Sequence, residues 1–230
     1  MKKTLITLLS LAGVAMGIDY KTIDYTFGRA TVDDVTTITI TSEQSQALTL
    51  NYVGTTYETG GSSAEGMMNA TSYAGTYTPN VQLRQNQASD YWMITFNVTN
   101  NTSELITLTN MGFDAYVINN DGSNKSDVVR TTDTLIIGET SWSQENLITS
   151  GGNTTDVSFV LGPNDTTSVD LLAGETVQVS FKLGSAAQGT KCYNTYAGLK
   201  GMSVTYIPEP ATATLSLLAL CGLTARRRRK

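Results

Sequence analysis

Six carboxylates stand where paired-acid chemistry would be sought: Asp33, Asp34, Glu58, Glu65, Asp90 and Asp114. Two carboxyl groups flanking a glycosidic bond can hydrolyse it, one as acid and the other as nucleophile or base. Nothing in the spacing of these six selects two. Asp33 and Asp34 are adjacent, so in an extended strand their side chains face opposite ways. Histidine is absent from the whole sequence. That removes Ser-His-Asp and Cys-His nucleophilic sites and histidine-based zinc sites. Cys192 has no histidine base to activate it and is a poor nucleophile. No catalytic residue is assigned, and the chain is not expected to be an enzyme or to need a cofactor.

Calcium has one candidate loop. Asn119, Asn120, Asp121, Gly122, Ser123 and Asn124, with nearby Asp127, put hard oxygen ligands close together. The loop lacks the alternating acids and terminal Glu of an EF-hand. An Asn/Asp/Gly run is also what a hairpin turn requires, and the turn is the favoured reading, so no metal site is assigned.

Sugars stack on aromatic faces, and Tyr52, Tyr57, Tyr73, Tyr77, Tyr91 and Trp142 are available for this. Most such rings are expected in the core or in cross-strand pairs. Residues 54–80 form the longest weakly patterned stretch, rich in Gly and Tyr. A long loop on a rigid scaffold is where binding concentrates. Tyr57, Tyr73 and Tyr77 are therefore the expected ligand-binding residues, with an extracellular polysaccharide as the partner class.

The elements that must position these residues read as strands. Residues 91–99 alternate, with Trp92, Ile94, Phe96 and Val98 on one face. Leu48, Leu50 and Tyr52 share a face, and residues 35–41 are β-branched throughout. Further strand-like runs lie at 105–109, 113–118, 135–137, 157–161, 169–172, 177–183 and 202–206. Polar turns separate them, such as Asn100-Asn101, Gly151-Gly152-Asn153 and Ala173-Gly174-Glu175. About ten strands with no helical period predict an all-β, antiparallel β-sandwich, jelly-roll-like, with an immunoglobulin-like order second. The predicted domain spans 18–206.

Both ends of the chain read differently. Pro208-Glu209-Pro210 is followed by an uncharged apolar run from Ala211 to Ala225 and then by Arg226, Arg227, Arg228, Arg229 and Lys230. As a helix the apolar run would be roughly 22 Å long, short for a permanent span. The basic end stays on the cytoplasmic side, so the rest of the chain lies across that membrane. The two prolines keep the preceding strip extended. This order of motif, apolar segment and basic tail over 207–230 resembles the PEP-CTERM sorting signal of Gram-negative bacteria. The resemblance implies recognition by an exosortase, cutting near the motif and delivery to the cell envelope, the outer surface or an extracellular polysaccharide matrix. It also implies transient anchoring in the inner membrane through a C-terminal hydrophobic helix.

The N-terminus agrees with export. Lys2-Lys3 precede an apolar stretch over 4–14, and Ala15 and Gly17 supply the small residues that a signal peptidase reads. Residues 1–17 are thus an expected signal peptide, a helix read by Sec-type machinery. Residues 1–17 and 211–230 hold seven of the fifteen basic residues and no acid, so 18–210 keeps eight against all twenty acids, a net charge of −12. A domain this acidic argues against nucleic acid as a partner. Cys192 is the one cysteine between the processing segments; it could link two copies, but an inert buried thiol is the expectation.

Overall fold

Alternation of apolar and polar side chains builds the strands. Trp92, Ile94, Phe96 and Val98 are all completely buried, while their neighbours in sequence are only half-buried. The computed structural model describes residues 19–32, 35–42, 47–58, 63–67, 79–83, 90–119, 129–148, 154–162, 168–185 and 195–209. The expected signal peptide, with Ala15 and Gly17, lies outside the described residues, as do Pro210, the apolar run and Arg226, Arg227, Arg228, Arg229 and Lys230. Among the described residues no helix is long and apolar enough to cross a membrane.

The described residues form thirteen strands: β1 (Lys21–Val32), β2 (Val35–Thr41), β3 (Leu48–Glu58), β4 (Ser63–Met67), β5 (Pro79–Leu83), β6 (Tyr91–Asn100), β7 (Ile106–Asn119), β8 (Val129–Ile137), β9 (Thr140–Ile148), β10 (Thr155–Val160), β11 (Val169–Leu171), β12 (Thr176–Ser185) and β13 (Thr195–Pro208). One sheet runs β10-β7-β13-β1-β2, with β11 beside β7 and β5 beside β13, and β4 beside β5. The second runs β3-β6-β12-β8-β9. Every strand pair is antiparallel. The predicted all-β, two-sheet architecture is what the structure has.

Aromatic rings join the two sheets. Phe113 of β7 stacks on Phe181 of β12, with ring centroids 4.1 Å apart and planes 13° from parallel. Phe27 of β1 stacks on Phe96 of β6 at 5.4 Å. Trp92 and Phe159 meet Phe181 edge-on at 6.2 and 6.3 Å. Stacked and edge-to-face pairs at such distances are the arrangements that the ring quadrupole favours.

Several strands differ from the sequence expectation. The runs at 105–109 and 113–118 are one strand, β7, because β13 pairs along it from Pro208 opposite Ile106 to Thr195 opposite Asn119. Two register shifts, one with an extra residue in β13 (Lys200) and one with an extra residue in β7 (Thr109), absorb the mismatch. Of residues 54–80, expected as one long loop, the described ones finish β3 (54–58), form β4 (63–67) and begin β5 (79–80). A shift between Tyr52 and Gly54 lets β3 stay paired with β6 as far as Glu58. The last strand ends at Pro208, two residues beyond the 206 boundary read from the sequence.

One end of the five-stranded sheet turns polar inside. Asp90, Ser185 and Thr131 are buried there, and Asp133 is buried one rung further in. The Asp133 carboxylate accepts hydrogen bonds at Oδ2 from Thr131 Oγ1 (3.0 Å) and Asn146 Nδ2 (2.8 Å), while its Oδ1 has no partner among the described residues. Burial pushes this carboxyl up to about 7, against the pull of those two bonds. At the opposite end a buried amide closes the fold. Asn100 donates from Nδ2 to the carbonyls of Glu104 (2.8 Å), Leu171 (3.0 Å) and Leu172 (3.1 Å), and its Oδ1 accepts from Thr102 N (2.9 Å).

Candidate functional site

Four adjacent strands of the eight-stranded sheet present two polar rungs to the outside. Asp24, Ser203, Gly112 and Ser158 stand side by side on β1, β13, β7 and β10. In the next rung stand Thr26, Gly201, Asp114 and Asp156. The intervening residues Tyr25, Met202, Phe113 and Val157 turn inward and are buried. Period-2 alternation thus puts an aromatic core under one face and acids on the other.

Two glycines make room between these side chains. A Cβ on Gly112 would lie 2.7 Å from Ser203 Oγ and 3.0 Å from Asp156 Oδ1. A Cβ on Gly201 would lie 2.5 Å from the Tyr25 carbonyl oxygen, so β1 approaches β13 closely only because this residue has no side chain. The register shift between Leu199 and Gly201 displaces Lys200, which is exposed at the rim. The result is an open groove of about 360 Å³, lined by Asp24, Asp114, Asp156, Lys200 and Ser203 over a floor that includes both glycines.

The charge in the groove is unbalanced, with three carboxylates and one ammonium. Asp114 is held above the usual carboxylate range, first by burial and then by the charge of Asp156; Lys200 opposes this and Asp24 adds to it. Among the described residues no group of three or more metal-ligating side chains could hold a metal ion. Tyr25 offers the groove no ring. Its phenol crosses the core to donate to the Leu48 carbonyl (2.9 Å), and burial pushes its ionisation well above the ordinary range. The groove therefore presents hydrogen-bonding and charged groups.

The residues read from the sequence are scattered relative to this groove. Asp114 lies in it. Tyr57 is 40 % exposed on β3 of the five-stranded sheet, opposite Trp92 on the neighbouring β6. Tyr73 and Tyr77 lie outside the described residues. Glu58 is exposed beside Tyr57, and Asp90 is completely buried. Asp33, Asp34 and the candidate calcium loop from residue 120 to Asp127 lie outside the described residues, as does Cys192. Sequence reasoning missed Asp24, Asp156, Lys200 and Ser203, which come from three strands, β1, β10 and β13, and meet only through sheet order. The Lys200-Gly201 pair inside an alternating run was a usable signal, because an interior glycine in a strand marks a bulge or a close approach.

Of the residues expected to form a sorting motif, Pro208 closes β13 and Glu209 follows it, exposed, with its N–H donating to the Leu105 carbonyl at 2.9 Å. Pro208 stands opposite Ile106 on one side. On its other side β1 has not yet begun, since Lys21 pairs with Tyr206. A proline is tolerated at this position because its missing N–H faces no strand.

No family model matches the chain, and no characterised protein matches it by sequence. Among solved structures, the chain is similar to TmCBM61 in complex with beta-1,4-galactotriose, at 8 % identity and a TM-score of 0.28, over 68 % of this chain and 86 % of that one. It is also similar to the enzymatically active domain of bacteriophage CBA120 tailspike protein 4, at 11 % identity and a TM-score of 0.25, over 70 % of this chain. It spans 19 % of the tailspike chain. Likeness this distant carries no argument about role, which is left to the groove and the two ends of the sequence.

Proposed function

We propose that this is an exported envelope or extracellular-matrix protein, processed at its C-terminus by an exosortase, whose β-sandwich binds a glycan in the groove of the eight-stranded sheet. The sorting part rests on residues 207–230 and on the signal-like N-terminus. The binding part is carried by one observation: a groove with a glycine floor and converging carboxylate, hydroxyl and ammonium groups on the outside of a rigid sheet. Carboxylates and hydroxyls are the partners that sugar hydroxyls need, and rigid strands hold them in place without an ordering cost on binding. The excess of acid favours a neutral or amino-bearing sugar over an acidic one.

The strand order supports a jelly-roll reading of the sandwich. β1, β13, β7 and β10 fill one layer and β6, β12, β8 and β9 the other, with β2 and β3 added at edges. Jelly rolls recur in lectin domains, which is an analogy of fold and not of site.

Affinity electrophoresis through gels containing neutral, amino-bearing and acidic polysaccharides tests the binding reading. Retardation by one of the first two, abolished in Asp114→Ala, is expected. Equal mobility in every gel would sink it. A second reading, glycan hydrolysis, is favoured by the facing pair Asp114 and Asp156, one of them raised. Release of reducing ends from a bound polysaccharide would decide for it.

A further inference from the structure

We infer that the folded sandwich fixes where the C-terminal signal can be cut: the first peptide bond open to a protease lies on the C-terminal side of Glu209. This rests on the processing reading proposed above, and it adds a location that the sequence motif alone does not give.

A protease takes its substrate in extended form and hydrogen-bonds the backbone on either side of the scissile bond. In the chain up to Glu209 that backbone is already paired along one side, to β7. Ile207 stands opposite Thr107 and Pro208 opposite Ile106, inside the β13–β7 ladder. The Glu209 N–H continues the ladder by one bond, to Leu105. The segment that supplies this acceptor is itself held down. Asn101 N donates to the Ala47 carbonyl at 2.8 Å, and Asn100 binds the Glu104 carbonyl on the residue before Leu105. The start of the Pro-Glu-Pro motif is therefore part of the sheet and not a free stem. Only Pro210 separates Glu209 from the apolar run that begins at Ala211.

Cutting at Glu209–Pro210 or beyond leaves β13 whole. Hydrolysis there adds one water, leaving a new carboxylate on the sandwich fragment and a free amine on the tail fragment. If an amine nucleophile takes the place of water, the new amide forms on the same carbonyl carbon. Any anchor so attached would be joined to the sheet with almost no spacer.

The experiment uses the full chain in detergent micelles, limited digestion with proteinase K, and intact mass of the sandwich fragment. Fragments ending at Glu209 or later are expected, and none ending within residues 195–208. A major fragment ending at Tyr206, Ile207 or Pro208 would overturn the inference. A variant with four Gly/Ser residues inserted between Tyr206 and Ile207 frees the motif without altering it. Cutting at 207–209 should then accelerate at least tenfold, and an unchanged digestion map would overturn the inference as well. The mass of the mature protein from its own cell envelope separates this from the processing reading. A chain still ending at Lys230 removes exosortase processing, whereas a shortened chain ending before Glu209 leaves processing intact and removes the location argued here.

Discussion

Asp114 on β7 and Asp156 on β10 stand directly opposite one another on the outside of the eight-stranded sheet. Burial holds the Asp114 carboxyl above the usual carboxylate range, and the like charge of Asp156 adds to this. Asp156→Asn removes the nearer charge while keeping the shape. The Asp114 carboxyl should then titrate at lower pH than in the parent, as followed by carbon-13 NMR of the carboxyl group. An unchanged midpoint would mean that the two do not feel each other.

Gly112→Ala is the mildest way to fill the groove. The added methyl meets the ends of two side chains, Ser203 and Asp156, which must move by some tenths of an ångström. Glycan retention should fall by about tenfold, a change of about 1.4 kcal/mol, with the melting temperature little changed. Full retention in the alanine variant would place the binding surface elsewhere.

Asp133 makes stability depend on pH in a direction opposite to that of a salt-bridged aspartate. Its folded-state value of about 7 lies above the value of about 3.9 expected in the unfolded chain. The folded state therefore holds the proton more tightly between these values. Its contribution is greatest below about pH 4, is lost progressively as pH rises to about 7, and is level above that. Asp133→Asn should flatten the fall in unfolding free energy between pH 4 and pH 7 by roughly 1–4 kcal/mol. Urea unfolding at a series of pH values would show it. A wild-type profile that rises over this interval would contradict the assignment.

Asn100 ties the segment before β7 and the turn before β12 to the end of β6 with one buried amide. Replacing it by Ala takes the side-chain donor from the Leu171 carbonyl and the acceptor from the Thr102 N–H, while the Glu104 and Leu172 carbonyls each keep a second donor, Thr102 Oγ1 (3.0 Å) and Glu175 N (2.9 Å). Unsatisfied groups of this kind make the expected cost roughly 2–4 kcal/mol. Chemical denaturation would measure the loss. The same variant should loosen Leu105, so hydrogen exchange at the Glu209 amide should quicken.

The fold was legible wherever one face of a strand is apolar throughout. Residues 91–99 declare their inward face in the sequence, and every inward residue is buried. β9 was not legible because its inward positions include Gln144 and Asn146 beside Trp142, so polar residues occupy both faces. Gln144 is used to donate to the Ser158 carbonyl of the facing sheet (3.2 Å), a partner that no local pattern reveals. The groove was hidden for a related reason. Asp24, Asp114, Asp156 and Lys200 lie far apart in the chain, and only the order of β1, β13, β7 and β10 gathers them.

The position of β13 has a consequence for the timing of assembly. It lies between β1 and β7 in the middle of the larger sheet, yet it is the last strand of the domain to be synthesised. Until residue 208 has emerged, β1 and β7 have no common neighbour, and Tyr25 and Phe113 lack their strand partner Met202. Closing a pairing between residues this far apart in sequence is slow. The five-stranded sheet can form without β13, but the larger sheet closes only once residue 208 has emerged.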